Sequence, residues 1–286
     1  MVLAAGLGTR LRPFTEQIPK PLMPVLGNPC IDYALLSLRA SQISKIVVNV
    51  HAHADQFKTA LSSDIIISDE SAQLLGSAGG FRQALPHFEG EAFLALNADV
   101  ISAVPLAALV KRHEELKRSR GIKMTLAIGT GALARSQTES YSEILLDEST
   151  GLIQGLNAKS KTAQGKPFYL GTGVFESECF SHLAAGKPAE WVSEVLKPLL
   201  QAKQVAFFSY DGLWLDMGTP ELWWKAHFEL HQKLNQLPAE WQAAIQKPKM
   251  PFLIDFAQKT VDYSYSLGKN SIRIQNISYE IPSAGN

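Results

Sequence analysis

The sequence predicts an α/β fold in which a mostly parallel sheet is flanked by helices, and three observations support this prediction. Short apolar runs alternate with amphipathic segments through the first half of the 286-residue chain, as they do in βαβ units. Near-continuous apolar runs such as Ile46-Val47-Val48 are typical of strands that are covered on both faces. Hydrophobic residues make up 46% of the chain and charged residues 19%, which is enough apolar material for a sizeable core.

In the first half of the chain, these patterns place five strands and four helices. The strands are Met1–Ala4, Lys45–Val50, Ile65–Ser68, Ala92–Leu96 and Lys123–Ile128. The helices lie near Pro29–Ala40, Asp55–Leu61, Ala78–Leu85 and Leu106–Arg118. Asn28 followed by Pro29 is a good helix start, because Asn caps free N–H groups and proline needs no donor at the first helical position.

From about Tyr141 the pattern changes to one that is typical of antiparallel strands. Tyr141–Leu146 and Leu152–Leu156 are separated by a turn sequence and are predicted to form a hairpin. The remaining elements are strands at Phe168–Phe175 and Val205–Ser209 and helices at Trp191–Leu200 and Pro220–Leu234. After a main domain of residues 1–235, residues 236–286 are expected to form a C-terminal extension, either a helical cap or partly irregular.

Charge and composition exclude some classes of protein. Lys plus Arg and Asp plus Glu each total 27, and a neutral balance argues against non-specific nucleic-acid binding. No stretch approaches the roughly 18 apolar residues of a membrane span, so the expected location is the cytoplasm. Cys30 and Cys179 form no metal-binding or redox motif and are expected to be buried or inert free thiols.

The most informative segment is Gly6-Leu7-Gly8-Thr9-Arg10-Leu11-Arg12-Pro13, which directly follows the first predicted strand. Two glycines at such a turn let the backbone approach a ligand closely, and successive N–H groups can bind phosphate oxygens. Arg10 and Arg12 add positive charge in a geometry that suits phosphate. A dinucleotide fingerprint would need a third glycine where Leu11 stands, and the Gly-Lys-Ser/Thr of a P-loop is absent. The glycines alone leave a simple tight turn as an equal alternative.

A second segment, Pro19-Lys20-Pro21-Leu22-Met23-Pro24-Val25, contains a lysine between prolines. The prolines stiffen the backbone, so Lys20 is expected to be held in place as a second phosphate contact. A lone surface lysine would usually only aid solubility.

Together these motifs resemble those of the sugar-phosphate nucleotidyltransferase family, which opens with Gly-x-Gly-Thr-Arg-Leu-x-Pro-x-Thr followed by Pro-Lys-Pro-Leu. The chain has the whole pattern, with Thr15 closing its first part, and the resemblance covers most of residues 1 to about 225. It implies a Rossmann-like nucleotide-diphospho-sugar transferase fold with an antiparallel sugar-binding part. It also implies that residues 1–235 are a nucleotidyltransferase domain. Because relatives carry two or three residues before the first strand, the true start is expected upstream of Met1.

The resemblance implies a set of nucleotide-binding residues. Leu75-Gly76-Ser77-Ala78-Gly79-Gly80 is similar to the Leu-Gly-Thr-Ala-Gly segment that wraps the base in the family, and Gln73 stands where a base-contacting polar residue is expected. The alternative interpretation is a glycine-rich helix start. The implied nucleotide-binding residues are Leu3, Ala4, Ala5, Gly6, Gly8, Thr9, Gln73, Gly76, Ser77 and Gly79.

Two aspartates are implied to be metal ligands. Asn97-Ala98-Asp99 stands where the family has a Gly-Asp metal motif, and Trp214-Leu215-Asp216-Met217-Gly218-Thr219-Pro220 is similar to the family's Trp-x-Asp-x-Gly-Thr-Pro. Two oxygen ligands together with water and phosphates are a usual way to hold Mg²⁺. The alternative for Asp216 is that it caps the following helix.

On the sugar side, the resemblance implies that Asn97, Lys159 and Gly171 contact the sugar phosphate. Lys159 aligns with the lysine of the family's Glu-Lys-Pro, although Ala158 and Ser160 replace its neighbours, and Lys166 is an alternative. His51 and His53 have a chelating spacing, but ordinary packing or surface roles are favoured for them because no third ligand is evident.

The implied activity is the transfer of a nucleotidyl group from a nucleoside triphosphate to a sugar 1-phosphate, with release of pyrophosphate. The resemblance also implies that Arg10 and Lys20 are the catalytic residues and that Mg²⁺ is the cofactor. The chain most resembles N-acetylmuramate 1-phosphate uridylyltransferases, while mannose or heptose 1-phosphate guanylyltransferases and cytidylyltransferases are alternatives. Other classes left open are a non-catalytic sugar-nucleotide-binding subunit and a nicotinamide-dependent oxidoreductase, the latter disfavoured by Leu11. A monomer or homodimer is expected, without nucleic-acid or membrane partners.

Overall fold

The computed structural model describes residues 1–136, 141–157, 165–250, 252–255, 260–267 and 270–274. The strands are β1 (Val2–Leu3), β2 (Pro24–Val25), β3 (Asn28–Pro29), β4 (Val47–Val50), β5 (Ile66–Asp69), β6 (Phe93–Asn97), β7 (Val100–Ser102), β8 (Met124–Gly129), β9 (Glu143–Asp147), β10 (Leu152–Asn157), β11 (Phe168–Phe175), β12 (Val205–Tyr210), β13 (Trp214–Asp216), β14 (Phe252–Asp255), β15 (Thr260–Leu267) and β16 (Asn270–Ile274). The α-helices are α1 (Cys30–Ala40), α2 (Ala54–Ala60), α3 (Gly76–Ala84), α4 (Leu106–Arg120), α5 (Gly131–Ser136), α6 (Lys197–Gln201), α7 (Pro220–Gln232) and α8 (Ala239–Gln246).

The central sheet has nine strands in the order β5-β4-β1-β6-β11-β8-β12-β10-β9. Strands β5, β4, β1 and β6 are parallel to one another, and β8 is parallel to β12. Strand β11 is antiparallel to β6 and β8, and β10 is antiparallel to β12 and β9. The predicted α/β class is therefore confirmed, with a sheet that is mixed and mostly parallel. The carboxyl ends of β1, β4 and β6 lie side by side, and ligand crevices in open α/β sheets form at such an edge.

Two apolar cores stabilise the sheet. One includes Leu11, Ile31 and Trp223, and the other is built around Phe81, Phe93 and Phe175. Apolar strands of the kind found in β4 and β8, which are buried along their whole length, are what two covered faces require. The loops at the carboxyl edge therefore rest on a rigid support.

The predicted helix start at Asn28 is wrong in its detail. Helix α1 begins at Cys30 and receives no side-chain cap. The side chain of Asn28 instead donates to the carbonyl oxygens of Leu26 and Ala244 and accepts from the amide of Lys249. This asparagine therefore binds the C-terminal segment, a long-range role that a local helix signal does not reveal.

The segment after residue 235 contains the helix α8 and three antiparallel strands, β14, β15 and β16. The sequence predicted a helical cap or a partly irregular extension and did not predict the three strands. Helix α8 packs on α1, where the indole Nε1 of Trp241 donates to the carbonyl oxygen of Tyr33 and to Ser37 Oγ, each over 3.1 Å. Further along, the amide of Met250 donates to the carbonyl oxygen of Gly27 over 2.9 Å. Residues 239–250 are thus hydrogen-bonded both to α1 and to the segment that leads into it.

The sequence also led to expectations about the two cysteines and about membrane-spanning segments. Cys30 and Cys179 are both buried free thiols, as expected, and burial raises the pKa of Cys179 to about 12. No helix in the described part of the chain is long and apolar enough to cross a membrane.

Candidate active site

The loop after β1 has a shape that depends on Gly8. This residue has φ 60°, in the left-handed region, and a Cβ added to it would lie 3.0 Å from Thr15 Cγ2 and 3.1 Å from Lys20 Cβ. The hydroxyl of Thr15 donates to the carbonyl oxygen of Gly8 over 2.9 Å. The glycine loop and the segment that carries Lys20 are therefore packed against each other without space for a side chain at position 8.

Lys20 lies in a short 3-10 helix, Lys20–Leu22, and its side chain is only 8% exposed. Its Nζ donates to Asp99 Oδ2 over 2.5 Å and lies 3.8 Å from Asp216 Oδ1. The two carboxylates, 37% and 10% exposed, therefore face the same ammonium group.

The two aspartates meet because their strands are paired. Strands β7 and β13 form a small antiparallel sheet in which Asp216 lies opposite Val100, and the amide of Met217 donates to the carbonyl oxygen of Asp99 over 3.3 Å. Helix α7, which follows, is capped by Thr219, whose Oγ1 accepts from the amide of Leu222. The alternative in which Asp216 is the helix cap is therefore wrong.

Burial is the main electrostatic influence on Asp216 and raises the pKa of its carboxyl group. The attraction of Lys20, a hydrogen bond of 3.1 Å from the Tyr141 hydroxyl and the more distant charge of Arg10 oppose this shift, whereas Asp99 adds to it. Arg10 lies over Gly218, where an added Cβ would be 2.8 Å from Arg10 Nη2 and 3.0 Å from Asp216 Oδ2. The site thus combines two carboxylates, one held ammonium group and one exposed guanidinium group.

A cavity of about 380 Å³ opens between these groups and the start of α3. Most of the residues that the sequence predicted for the site line this cavity: Leu3, Ala4, Ala5, Gly6, Gly8, Thr9, Arg10, Lys20, Gly76, Ser77, Asn97 and Asp99. Its lining also includes Pro21, Asn49, Leu74 and Gly218. The structure therefore brings both motif segments and one aspartate to a single pocket.

Two predicted nucleotide-binding residues do not line the cavity. Gln73 is exposed, and its backbone amide donates to the carbonyl oxygen of Glu70 over 3.0 Å. Gly79 is buried, and a Cβ added to it would lie 2.6 Å from the carbonyl oxygen of Lys187 and 3.2 Å from the amide of Ala189. The need for glycine at position 79 is explained by the packing of the chain around Lys187 onto α3.

On the sugar side, Gly171 supports Asn97. Gly171 has φ 74°, and a Cβ there would lie 2.7 Å from Asn97 Nδ2, so a side chain at position 171 would displace the asparagine from the cavity wall. Lys159 lies outside the described residues. The alternative, Lys166, is 3.9 Å from Glu143 Oε1 and half exposed. Asp216 also borders a second cavity of about 790 Å³ beside β13 and α7.

Sequence reasoning missed Asn49, Glu70 and Tyr141. Asn49 accepts a hydrogen bond from the amide of Ala4 and donates to Glu70. A signal was available, because Asn49 interrupts the apolar run of β4 and Glu70 directly follows β5, and buried polar groups need partners. His51 Nδ1 lies 2.7 Å from the carbonyl oxygen of Glu70, which agrees with the packing role favoured for this histidine.

Comparisons with known proteins agree with this geometry. The model of the nucleotidyl transferase family matches residues 1–233. N-acetylmuramate alpha-1-phosphate uridylyltransferase of Neisseria meningitidis is 30% identical over 226 residues, which cover 77% of this chain and 92% of the relative. UTP–glucose-1-phosphate uridylyltransferase of Synechocystis is 28% identical over 79% of this chain. A probable mannose-1-phosphate guanylyltransferase of Oryza sativa is 27% identical over 77%. The match spans 61% of the length of each of these last two relatives.

Solved structures show the same fold. HddC from Yersinia pseudotuberculosis superposes with a TM-score of 0.64 at 17% identity, covering 80% of this chain and 97% of that one. A putative glucose-1-phosphate thymidylyltransferase from Bacillus anthracis superposes with a TM-score of 0.66 at 18% identity, covering 80% and 93%. The chain belongs to the nucleotidyl transferase family, as an NTP:sugar 1-phosphate nucleotidyltransferase.

Proposed function

We propose that this enzyme transfers a uridylyl group from UTP to N-acetylmuramate 1-phosphate, releasing pyrophosphate, in the cytoplasm. The observation that carries the catalytic part is that Lys20 and Asp99 line the glycine-lined cavity and that the Lys20 ammonium group also lies 3.8 Å from Asp216 Oδ1. The choice of substrates is supported by the Neisseria relative, which this chain matches over 92% of its length, whereas the match to the glucose and mannose relatives covers 61% of theirs.

The reaction is an electrostatic problem that this set of side chains can solve. A sugar phosphate dianion must approach a triphosphate with about four negative charges. Each pair of unit charges at 4 Å costs about 1 kcal/mol in water and about 4 kcal/mol at an effective dielectric constant of 20. Arg10 and Lys20 hold the triphosphate and stabilise the departing pyrophosphate, so no covalent protein nucleophile is needed.

The residues present fit a Mg²⁺ ion. Asp99 and Asp216 share a single ammonium group, so this partly buried cluster of two carboxylates has an excess negative charge that a divalent cation would neutralise. Within the described residues no group of three or more His, Cys, Asp or Glu side chains could hold a metal. Two carboxylates with water and phosphate oxygens are nevertheless a usual set for Mg²⁺. When bound, the ion supplies positive charge to the reacting phosphates.

The remaining residues position the substrates. In this proposal the backbone of Ala4–Gly8 lies along the triphosphate and Gly76 and Ser77 lie against the base, since residues of both segments line the cavity. Asn97, held by Gly171, contacts the sugar, and Lys159 orients the attacking phosphate oxygen. The catalytic domain ends near residue 235, and the enzyme acts as a monomer or homodimer.

The test is a grid of five triphosphates (UTP, GTP, CTP, ATP and dTTP) against several sugar 1-phosphates, with pyrophosphate release as the readout. We expect the highest kcat/KM for UTP with N-acetylmuramate 1-phosphate. Release with GTP and mannose 1-phosphate alone would favour the second candidate, a guanylyltransferase, which the relative from Oryza sativa supports. Triphosphate binding without pyrophosphate release in any combination would contradict the catalytic proposal.

A further inference from the structure

Two buried polar side chains, Asn49 and Glu70, connect two segments that line the proposed nucleotide cavity, and Asn49 is itself part of the lining. Asn49, in β4, accepts a hydrogen bond over 2.9 Å from the amide of Ala4, the first residue after β1. Its Nδ2 donates over 2.7 Å to Glu70 Oε1. The other oxygen of Glu70 accepts over 3.1 Å from the amide of Leu75, the residue before α3. One chain of three hydrogen bonds therefore connects the glycine loop to the start of α3.

The two residues are as buried as the apolar core around them. Asn49 and Glu70 are each 2% exposed, and burial raises the pKa of the Glu70 carboxyl group, while its bonds from Asn49 and Leu75 oppose the shift. A carboxylate in such surroundings is costly unless it is hydrogen-bonded. Since apolar residues would fill this space at lower cost, the pair requires a reason other than stability of the core.

The neighbouring backbone is adapted to the pair. Gly80 lies inside α3, where glycine is unfavourable, and a Cβ added there would be 2.7 Å from Glu70 Oε1 and 2.8 Å from Asn49 Nδ2. Any side chain at position 80 would push these two groups apart. Helix α3 therefore has a residue of low helix propensity at the position where its backbone packs against the carboxylate of Glu70 and the side-chain amide of Asn49.

We propose that Asn49 and Glu70 are a positioning pair that sets the distance between the two backbone walls of the nucleotide cavity, an inference that rests on the proposed function. Ala4 belongs to the wall assigned to the triphosphate, and Leu75 directly precedes the wall assigned to the base. Because the residues that line the cavity in these two segments are small, namely Ala4, Ala5, Gly6, Gly8, Gly76 and Ser77, the spacing of the segments cannot be adjusted by rotation of long side chains. The pair therefore controls affinity for the nucleoside triphosphate and leaves the sugar phosphate unaffected.

The direction of the hydrogen bonds provides a sharp test. In Glu70→Gln, the new amide group faces either Asn49 Nδ2 or the Leu75 amide, so two donors oppose each other in any orientation. In Asn49→Asp, two carboxylates face each other. In the double variant N49D/E70Q, the new Asp accepts from Ala4 and from the new Gln, whose oxygen accepts from Leu75. All three hydrogen bonds are restored with the polarity of the central one reversed.

We expect E70Q to raise the dissociation constant for UTP and the KM for UTP about tenfold, the size expected when a buried donor loses its acceptor. The KM for N-acetylmuramate 1-phosphate should stay within about twofold of the wild type, well below the tenfold that corresponds to a lost bond. The double variant should return the UTP values to near wild type. Asp69→Asn, which removes a neighbouring exposed charge, is the matched control and should leave both constants unchanged.

Binding of UTP without sugar phosphate, both KM values and the melting temperature are measured for each variant. E70Q with wild-type affinity for UTP would overturn the inference, as would equal losses in both KM values. Failure of N49D/E70Q to recover affinity, or to fold, would overturn it as well, because the pairing predicts recovery. A wild-type protein that binds none of the five triphosphates would contradict the proposed function itself, whereas a failure confined to the variants contradicts only the pair.

Discussion

The two sides of the candidate site are built in different ways. On the proposed nucleotide side, small residues of the loop after β1 and of the start of α3 line the cavity, and glycines together with the buried Asn49 and Glu70 fix how these segments pack. On the other side, the proposed metal side, the functional groups are the side chains of Asp99 and Asp216, brought together by pairing of β7 with β13. We therefore expect substitutions on the nucleotide side to act by changing the shape of the cavity, and substitutions of Asp99 or Asp216 to act by changing the charge of the site.

The largest effect is expected on the metal side. Asp99→Asn removes one of the two carboxylates that face Lys20, and the charge stabilisation that a bound ion gives to reacting phosphates amounts to several kcal/mol. We expect kcat to fall at least about 100-fold at saturating Mg²⁺, with little change in the KM for UTP. Pyrophosphate release at varied Mg²⁺ measures this.

The control for that experiment is Glu148→Gln, which removes an exposed carboxylate in the turn between β9 and β10 and should leave kcat unchanged. Full turnover by Asp99→Asn in saturating Mg²⁺ would break the distinction between the two sides, because the carboxylate would then have no role in charge stabilisation.

An intermediate effect is expected on the nucleotide side. Gly8→Ala combines a left-handed backbone with close contacts to Thr15 and Lys20, whereas Gly90→Ala has φ 83° with nothing within 4 Å of the added Cβ. We expect the free energy of unfolding to fall by about 2 kcal/mol for the first variant and about 1 kcal/mol for the second. Only the first should raise the KM for UTP, by about tenfold, as expected for about 1.4 kcal/mol of lost binding.

Urea denaturation gives the two free energies, and steady-state kinetics give the KM values. Equal destabilisation by both substitutions, with no change in the KM of Gly8→Ala, would show that the shape of this loop does not control binding of the triphosphate.

The two sides also differ in how much of each could be predicted from the sequence. The nucleotide side is encoded by short motifs, so Gly8, Lys20 and Gly76 could be placed from local sequence, and the structure brings them to one cavity. The antiparallel pairing of β7 with β13 joins distant parts of the chain, and nothing in either short strand indicates its partner. The motif resemblance nevertheless singled out Asp99 and Asp216.

The sequence did not predict the residues whose side chains hold other segments of the site in place. Asn49 and Glu70 touch backbone amides from separate loops, and such contacts appear only when the strands are ordered in the sheet. Gly79 was assigned to the nucleotide, but its lack of a side chain is required by the chain around Lys187. A motif glycine shows that space is restricted, and only the structure shows what restricts it.

The smallest effect concerns Tyr141, which contacts the proposed metal side through a hydrogen bond to Asp216. Its hydroxyl donates to Asp216 Oδ2 over 3.1 Å, and its ring stacks on Phe168 with centroids 4.8 Å apart. Tyr141→Phe keeps the ring and removes the bond, which is typically worth about 1 kcal/mol. We expect the Mg²⁺ concentration for half-maximal rate to rise about fivefold, while the KM for UTP at saturating Mg²⁺ stays constant.

The matched control is Tyr210→Phe, which removes a hydroxyl bonded to the carbonyl oxygen of Leu213 over 3.3 Å and should leave the Mg²⁺ requirement unchanged. A Tyr141→Phe variant that alters the KM for UTP and not the Mg²⁺ requirement would place this tyrosine on the nucleotide side. That result would contradict the proposal that the two sides act separately, because a hydroxyl that donates to Asp216 would then control binding of the nucleotide.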